Sequence, residues 1–284
     1  MMEKRPLRIG VTGPFSGPRR AYGDMLKAVS HRFSNRCELV FGDDEARPEK
    51  ALAVAEHFIQ WQVDAVIGHF NSECARQAGA LYRQHEIPFL MPASTAPDLV
   101  VTTSGFRICP SDRVQVIAMA QWLRQNRFAA TIETDETAYA VRLAGLLRAQ
   151  YPQMHTSTPD AKRVSILLGT HVWVAAQILQ RKALEQVYLA PDDCAVAEFD
   201  ELLTEVADHA IHVVRPNPTF EQAVTIAFEL VLEARQQERH LGQALKASQA
   251  FQNGEYRQAG FTVVKLGHTN SHAVVAPCEV RDFA

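Results

Sequence analysis

The feature that most constrains this chain is an alternation: short apolar runs are followed repeatedly by stretches with apolar residues at i, i+3 and i+4. RIGVTG (8–13), ELVFGDD (38–44), DAVIGHF (64–70), IPFLMPA (87–93) and GFRICP (105–110) read as strands. AYGDMLKAVSHRF, RPEKALAVAEHFIQWQ and SECARQAGALYRQH between them read as helices. Strands alternating with helices form parallel sheets covered on both faces.

A second series repeats the pattern: helix DRVQVIAMAQWLRQ, strand FAATIET, helix YAVRLAGLLRAQ, strand RVSILLG, helix VWVAAQILQRK, strand EQVYLA, helix AEFDELLTEVA and strand AIHVVRP. Then come a long helix over 219–240, with Thr219 as its N-cap after Pro218, and a shorter one over 242–251. Strands FTVVKLG and HAVVAPCEV finish the chain. At 284 residues the chain suits two lobes of roughly 100 to 150 residues each. No repeat or long linker separates them, so the two α/β units are expected to pack closely.

A net charge of −3 gives no basic face for nucleic acid, and no run of about 18 apolar residues suggests a membrane span. The N-terminus passes from a short charged stretch directly into LRIGVTG without a signal-like apolar segment. Five cysteines, odd in number, spread out and never CxxC, fit reduced thiols. Both features point to a cytoplasmic protein.

Catalytic motifs are missing. There is no GxGxxG after a strand, no GxxxxGK[ST] and no GxSxG. His209 with His212, and His268 with His272, have ligand-like spacing but no acidic partner in HExxH fashion, and read as solvated or core histidines. Asp43, Asp44 and Glu45 read as helix caps or hinge contacts. The expectation is a non-enzyme without cofactor or metal.

In open α/β sheets ligands sit beyond the carboxyl ends of the strands, where loops expose backbone N–H groups. That rule picks out Ser16 and Tyr22 after RIGVTG, Ser72 after VIGHF as a helix cap, Ala93 and Thr95 after PFLM, and Asp192 after VYLAP.

IGVTGPFSGPRRAYGD, the stretch from LVFGDDEARPEK through IPFLMPASTAPDL, and GFRICPSD resemble, in order, the first-lobe blocks of type I periplasmic binding proteins of the leucine/isoleucine/valine-binding branch. The resemblance covers residues 8–112. It continues more weakly through ATIETDETAYAVRLAGLL, ILLGTHVWVAAQIL and VYLAPDD. It implies an α/β fold of two Rossmann-like lobes with parallel sheets joined by a three-crossover hinge, with a small ligand held between the lobes. The crossings would fall near Pro110, Pro216 and Glu255, giving lobe 1 as 1–110 and 217–255 and lobe 2 as 111–216 and 256–284.

The resemblance also implies roles. The Ser72 hydroxyl and nearby backbone N–H groups would hold an α-carboxylate, while the Thr95 hydroxyl, the Ala93 carbonyl and Asp192 would meet an α-ammonium. Tyr22 would lie over the side-chain pocket, Tyr139 matches a second-lobe tyrosine, and Phe70 and Ser16 complete the expected ligand-binding set. There are departures: Thr170, His171 and Val172 stand where the transport proteins have glycine and tyrosines, and Ala46 and Asn71 stand where secreted members carry a disulfide.

The leading expectation is a cytoplasmic sensor of an amino acid or amide, similar to the amidase-regulator branch, acting on a regulatory protein partner and forming a homodimer. The first alternative is the solute-binding component of an ABC-type amino-acid transporter whose signal peptide has been removed, and so periplasmic. The second is an enzyme or accessory protein of a biosynthetic pathway.

Overall fold

The protein is described from a computed structural model over residues 5–152, 162–181, 186–204, 210–237 and 239–266. The chain divides into two compact units, Met1–Pro110 with Pro218–Ala259 and Ser111–Asn217 with Gly260–Ala284.

The first unit runs β1 (Arg8–Gly13), α1 (Arg20–His31), β2 (Glu38–Asp43), α2 (Pro48–Gln60), β3 (Ala65–Gly68), α3 (Ser72–Gln84), β4 (Phe89–Met91), α4 (Leu99–Thr103) and β5 (Phe106–Arg107). The second contributes α5 (Asp112–Gln125), β6 (Phe128–Thr134), α6 (Ala138–Gln150), β7 (Lys162–Leu168), α7 (His171–Gln180), β8 (Val187–Ala190), a 3-10 turn (Asp192–Cys194), α8 (Ala197–Leu202) and β9 (Ala210–Asn217). The chain then returns to the first unit with α9 (Phe220–Gln236), α10 (Leu241–Ala247), β10 (Phe251–Gln252) and β11 (Glu255–Tyr256). It ends, among the described residues, on β12 (Gly260–Lys265) of the second.

The first sheet has the order β10-β11-β5-β4-β3-β1-β2, parallel from β2 to β11. Its strands are apolar on both faces because helices cover both: Ile9, Val11, Val66, Ile67 and Leu90 have no exposed surface. The order 2-1-3-4-5 switches direction between β1 and β3, which places the ligand crevice at the loops following those two strands. The second sheet, β12-β9-β8-β7-β6, is parallel except for β12, which pairs antiparallel with β9 from Gly260↔Asn217 to Lys265↔His212. Its core joins Leu143, Leu147, Ile166, Leu168, Leu189 and Val214.

Side-chain chemistry sets the helix starts. Thr219 caps α9 in a full capping box with Gln222, and Thr137 and Thr170 cap α6 and α7. The expected cap at Ser72 is corrected: Asn71 caps α3 by accepting from Glu73 N, and Ser72 is the first helical residue. The helix expected to reach 251 ends at Ala247. Asn253-Gly254 instead turns a short hairpin, Gly254 at φ +80°, which seats Phe251 against Phe106 at 4.9 Å between ring centroids. GFRICP contributes only Phe106 and Arg107 to the sheet, and α4 forms where no helix was read. The expected strand HAVVAPCEV, with His268 and His272, lies outside the described residues, as does His209.

Two glycines show where backbone freedom is required. Gly68, at φ +142°, ends β3, and a Cβ there would meet Thr12 O at 1.9 Å. Gly17, at φ +78°, has nothing within 4 Å of its missing Cβ. Gly68→Ala therefore combines a forbidden φ with a backbone clash and should cost more than about 3 kcal/mol, whereas Gly17→Ala should cost about 1 kcal/mol. Urea unfolding of both variants checks the ordering.

Candidate functional site

In the first unit the loops after β1, β2, β3 and β4 meet at the sheet's carboxyl edge. Asp43 accepts from Phe15 N at 2.9 Å, from Glu45 N at 3.0 Å and from Ser16 Oγ at 2.6 Å. Burial works against the Asp43 carboxylate, yet the Ser16 hydroxyl and these amides outweigh it and hold its pKa below the ordinary value. Because Ser16 gives its only proton to Asp43, it can act towards a ligand as an acceptor only.

Asp44 is fully buried and caps its turn through Ala46 N at 2.9 Å. Its Oδ2 lies 2.7 Å from His69 Nδ1, and His69 Nε2 lies 3.1 Å from Tyr82 Oη, both partners without exposed surface. With Nδ1–H donating to the carboxylate and the Tyr82 hydroxyl donating to Nε2, every group in this chain is satisfied. The His69 carbonyl in turn accepts from Ser94 Oγ at 2.5 Å.

Ser72, half-buried, accepts at Oγ from Ala96 N at 3.2 Å. That bond engages a lone pair and leaves the hydroxyl proton to be donated, as a carboxylate oxygen would require. Ala93 and Thr95 lie buried in the same β4–α4 loop, and the Thr95 hydroxyl makes no side-chain hydrogen bond among the described residues. Arg107 holds the far side of this loop: its Nη1 donates to Ala96 O at 2.5 Å, and its guanidinium forks onto Glu255. Tyr22 and Phe70 are core-like, packing on each other at 6.0 Å and both on Phe220, at 5.9 and 6.3 Å.

The second unit brings Tyr139 and Asp192 together, with Tyr139 Oη donating to Asp192 Oδ1 at 2.5 Å. Asp192 is only 3% exposed in its 3-10 turn. Asp112, fully buried at the start of α5, receives Arg142 Nε at 2.7 Å. Burial first, and then the neighbouring Asp112 charge, raise the Asp192 pKa to about 7; the Tyr139 hydroxyl and the Gln115 amide oppose the rise. Burial, followed by the Asp192 charge, pushes Tyr139 well above its usual value, so it remains a donor.

His171 does not replace the transport proteins' residues as a pocket wall. It is buried, donating its backbone N–H to Asp193 Oδ2 at 2.9 Å and placing Nε2 2.9 Å from Glu198 Oε2. Burial lowers its pKa, but the two carboxylates outweigh that and raise it.

Sequence reasoning did not pick out Asp44, His69, Tyr82, Arg107, Gln115 or Arg142 as parts of this arrangement. Each acts through partners 11 to 148 residues away or from the adjacent turn, which a linear pattern does not reveal. Among the described residues no group of three or more His, Cys, Asp and Glu could hold a metal ion, and no helix is long and apolar enough to cross a membrane. Cys37, Cys74, Cys109 and Cys194 are buried free thiols.

A family model described as periplasmic binding protein matches residues 6–184. The chain belongs to the periplasmic binding protein family. Over 165 residues it is 26% identical to the Leu/Ile/Val-binding protein homolog 2 of Brucella abortus (strain 2308), covering 53% of this chain and 44% of that protein. Over 113 residues it is 30% identical to the Leu/Ile/Val-binding protein of Escherichia coli K12, covering 36% of this chain and 30% of that one. The matches thus span less than half the length of these relatives.

The fold extends further than the sequence match. The leucine-binding protein LivK of Thermotoga maritima superposes with a TM-score of 0.78 at 18% identity, covering 95% of this chain and 99% of that one. The branched-chain amino-acid transporter substrate-binding protein LivJ of Streptococcus pneumoniae, solved with isoleucine, gives 0.75 at 16%, covering 92% and 100%. The α/β fold of two mostly parallel, helix-covered sheets is that of these binding proteins. The matched relatives are binding proteins, not enzymes.

The raised Asp192 pKa has a stability consequence with a definite sign. The folded state holds a proton on this carboxyl that the unfolded chain releases near pH 3.9, so the Asp192 contribution favours folding at low pH and turns against it as pH rises towards about 7. Asp192→Asn keeps an acceptor for Tyr139 and cannot ionise. It should be more stable than the wild type at pH 8 and converge with it near pH 4, as measured by denaturant unfolding across that range.

Proposed function

We propose that the protein binds a small α-amino acid and serves as the solute-binding component of an amino-acid transporter, working with its relatives on the periplasmic side. The observation that carries this reading is the complementary chemistry of the two residue sets. In the first unit Ser72 has a proton to donate, and the hydroxyl of Thr95, a residue 4% exposed, has no side-chain partner, as donor or acceptor, among the described residues. The second unit buries Asp112, Asp192 and Asp193 in one neighbourhood, with Arg142 on Asp112 and His171 on Asp193, and among the described residues no cation pairs with Asp192.

A zwitterion answers both. Its carboxylate suits a hydroxyl donor such as Ser72, and its ammonium suits oxygen acceptors such as the Thr95 hydroxyl in the first unit and the Asp192 carboxylate in the second. Within the first unit Tyr22 and Phe70 pack on each other and Ser16 donates to Asp43; within the second Tyr139 aligns Asp192.

The relatives support a transport role ahead of the cytoplasmic sensor expected from the sequence alone. They are named for binding leucine, isoleucine and valine, and the Streptococcus pneumoniae neighbour for a branched-chain amino-acid transporter. Residues 46 and 71, one part of the grounds for the cytoplasmic expectation beside the N-terminal sequence, take part in local turn and cap chemistry.

A thermal-shift screen of the twenty L-amino acids, each beside its des-amino acid, tests the reading, since a ligand of the folded state raises Tm by mass action. An α-amino acid should raise Tm and its des-amino counterpart should not. Thr95→Ala and Asp192→Asn should each weaken that amino acid by about 1 to 3 kcal/mol. Unchanged affinity in both variants refutes the zwitterion assignment.

Affinity should also depend on pH with a fixed sign. The ammonium pairs with ionised Asp192, which predominates above about pH 7, so binding tightens as pH rises to that point. Below it, affinity should fall about tenfold per pH unit, and Asp192→Asn should flatten the profile.

A further inference from the structure

Gln115 ends the first turn of α5 with no exposed surface; its amide N–H faces the Asp192 carboxyl, and its Oε1 has no hydrogen-bond partner among the described residues. One turn earlier on the same helix, Asp112 has one carboxylate oxygen on Arg142 and its other, Oδ1, buried without a partner. Buried amides are normally paired at both ends, because an unpaired donor or acceptor bears its full desolvation cost. With its N–H turned to Asp192, the open end of this amide is its oxygen, which calls for a donor.

Its surroundings show what that partner is. The Gln115 amide faces the Asp192 carboxyl closely enough to favour the ionised form. Asp192 is also faced by Tyr139 and by the Asp112–Arg142 pair from α6 and α5, and by Asp193 beside it, behind which stand His171 and Glu198. A further carboxylate here would add like charge. A neutral amide supplies an acceptor oxygen without charge and, through its N–H, a donor to the carboxylate.

We propose that Gln115 is a ligand-binding residue whose amide, with the Asp192 carboxylate, forms the seat of a ligand's cationic amino group: Nε2 donates to the carboxylate and Oε1 accepts from the ligand. An ammonium has three N–H donors and gains a second, differently directed acceptor from this arrangement. The inference deepens the amino-acid reading above and rests on it.

Calorimetric titration of the twenty L-amino acids into the wild type, Gln115→Met and Gln115→Glu, between pH 6 and 9, tests it. Gln115→Met keeps the shape and removes both hydrogen-bonding ends. It should weaken every amino acid that the wild type binds by about tenfold or more and move the pH midpoint of binding upward, since the donor favouring ionised Asp192 is gone. Gln115→Glu should move the midpoint up further through like charge. A purely packing role would lower melting temperature without moving either midpoint.

Wild-type affinity and midpoint in Gln115→Met, with Asp192→Asn impaired, overturn the Gln115 assignment and leave the amino-acid reading standing. If no amino acid binds the wild type, both fall together. Should Gln115→Met fail to fold, the nearly isosteric Gln115→Glu decides by its midpoint alone, an unshifted value overturning the proposal.

Discussion

The contact on which the first unit's loops depend is His69 Nδ1 against Asp44 Oδ2, 2.7 Å apart with neither side chain exposed. Burying such a pair costs desolvation that only good geometry offsets, and removing one partner strands the other at a cost of about 3 to 5 kcal/mol. The pair therefore has one acceptable arrangement, and what is attached to it inherits that position. Asp44 fixes the β2–α2 turn and His69 fixes the end of the β3 loop, while the His69 carbonyl fixes the β4–α4 loop through Ser94. Ser72 and Arg107 then close on Ala96 from two sides, by its N–H and its carbonyl. Loops at a sheet edge are usually the least constrained part of a fold, and here three of them form one cross-linked body.

The second unit is organised by an electrostatic imbalance. Asp112, Asp192 and Asp193 are buried within one neighbourhood, with Arg142 on Asp112 and His171 on Asp193. Among the described residues Asp192 has no cationic partner; it meets the neutral Tyr139 phenol and Gln115 amide, so burial first, and then the Asp112 charge, carry its pKa to about 7. A carboxyl kept in that state is a poor structural element and a responsive receptor: it ionises when a cation arrives and is stabilised by it. The Asp44–His69–Tyr82 chain of the first unit is satisfied internally, whereas among the described residues Asp192 of the second has no cation paired with it.

The alternation of apolar runs made the α/β class legible because two-sided burial leaves no choice of strand composition, as the wholly buried AVIG of β3 illustrates. The Thr219 cap was equally legible, since a capping box is a local device four residues long. Ser72 was misread as a cap because Asn71 beside it has the same propensity, and only the backbone decides which of two adjacent polar residues precedes the first turn. The helix read through 251 overran because the hairpin signal Asn253-Gly254 lies just beyond it, and the hairpin's support, Phe106, is 145 residues earlier in the chain. The strand-end rule for open α/β sheets located Ser72, Thr95 and Asp192, and the resemblance supplied their expected roles. Neither could reveal Gln115, whose significance comes from a missing partner rather than from any pattern.

The same long-range view changes the meaning of Ala46 and Asn71. The resemblance puts the disulfide of secreted members at these two positions. Yet Asp44 and His69, each two residues before those positions, bind the same two loops through the buried 2.7 Å contact. Glu45 and Ala46 both adopt left-handed backbone, at φ 49° and 56°, a conformation costly for residues with a Cβ. Their N–H groups are held by the Asp43 and Asp44 carboxylates, two successive Asx-type turns that offset that cost. Asn71 uses its side chain to start α3. Residues 46 and 71 thus serve the turn and the cap while the tie between loops rests on Asp44 and His69.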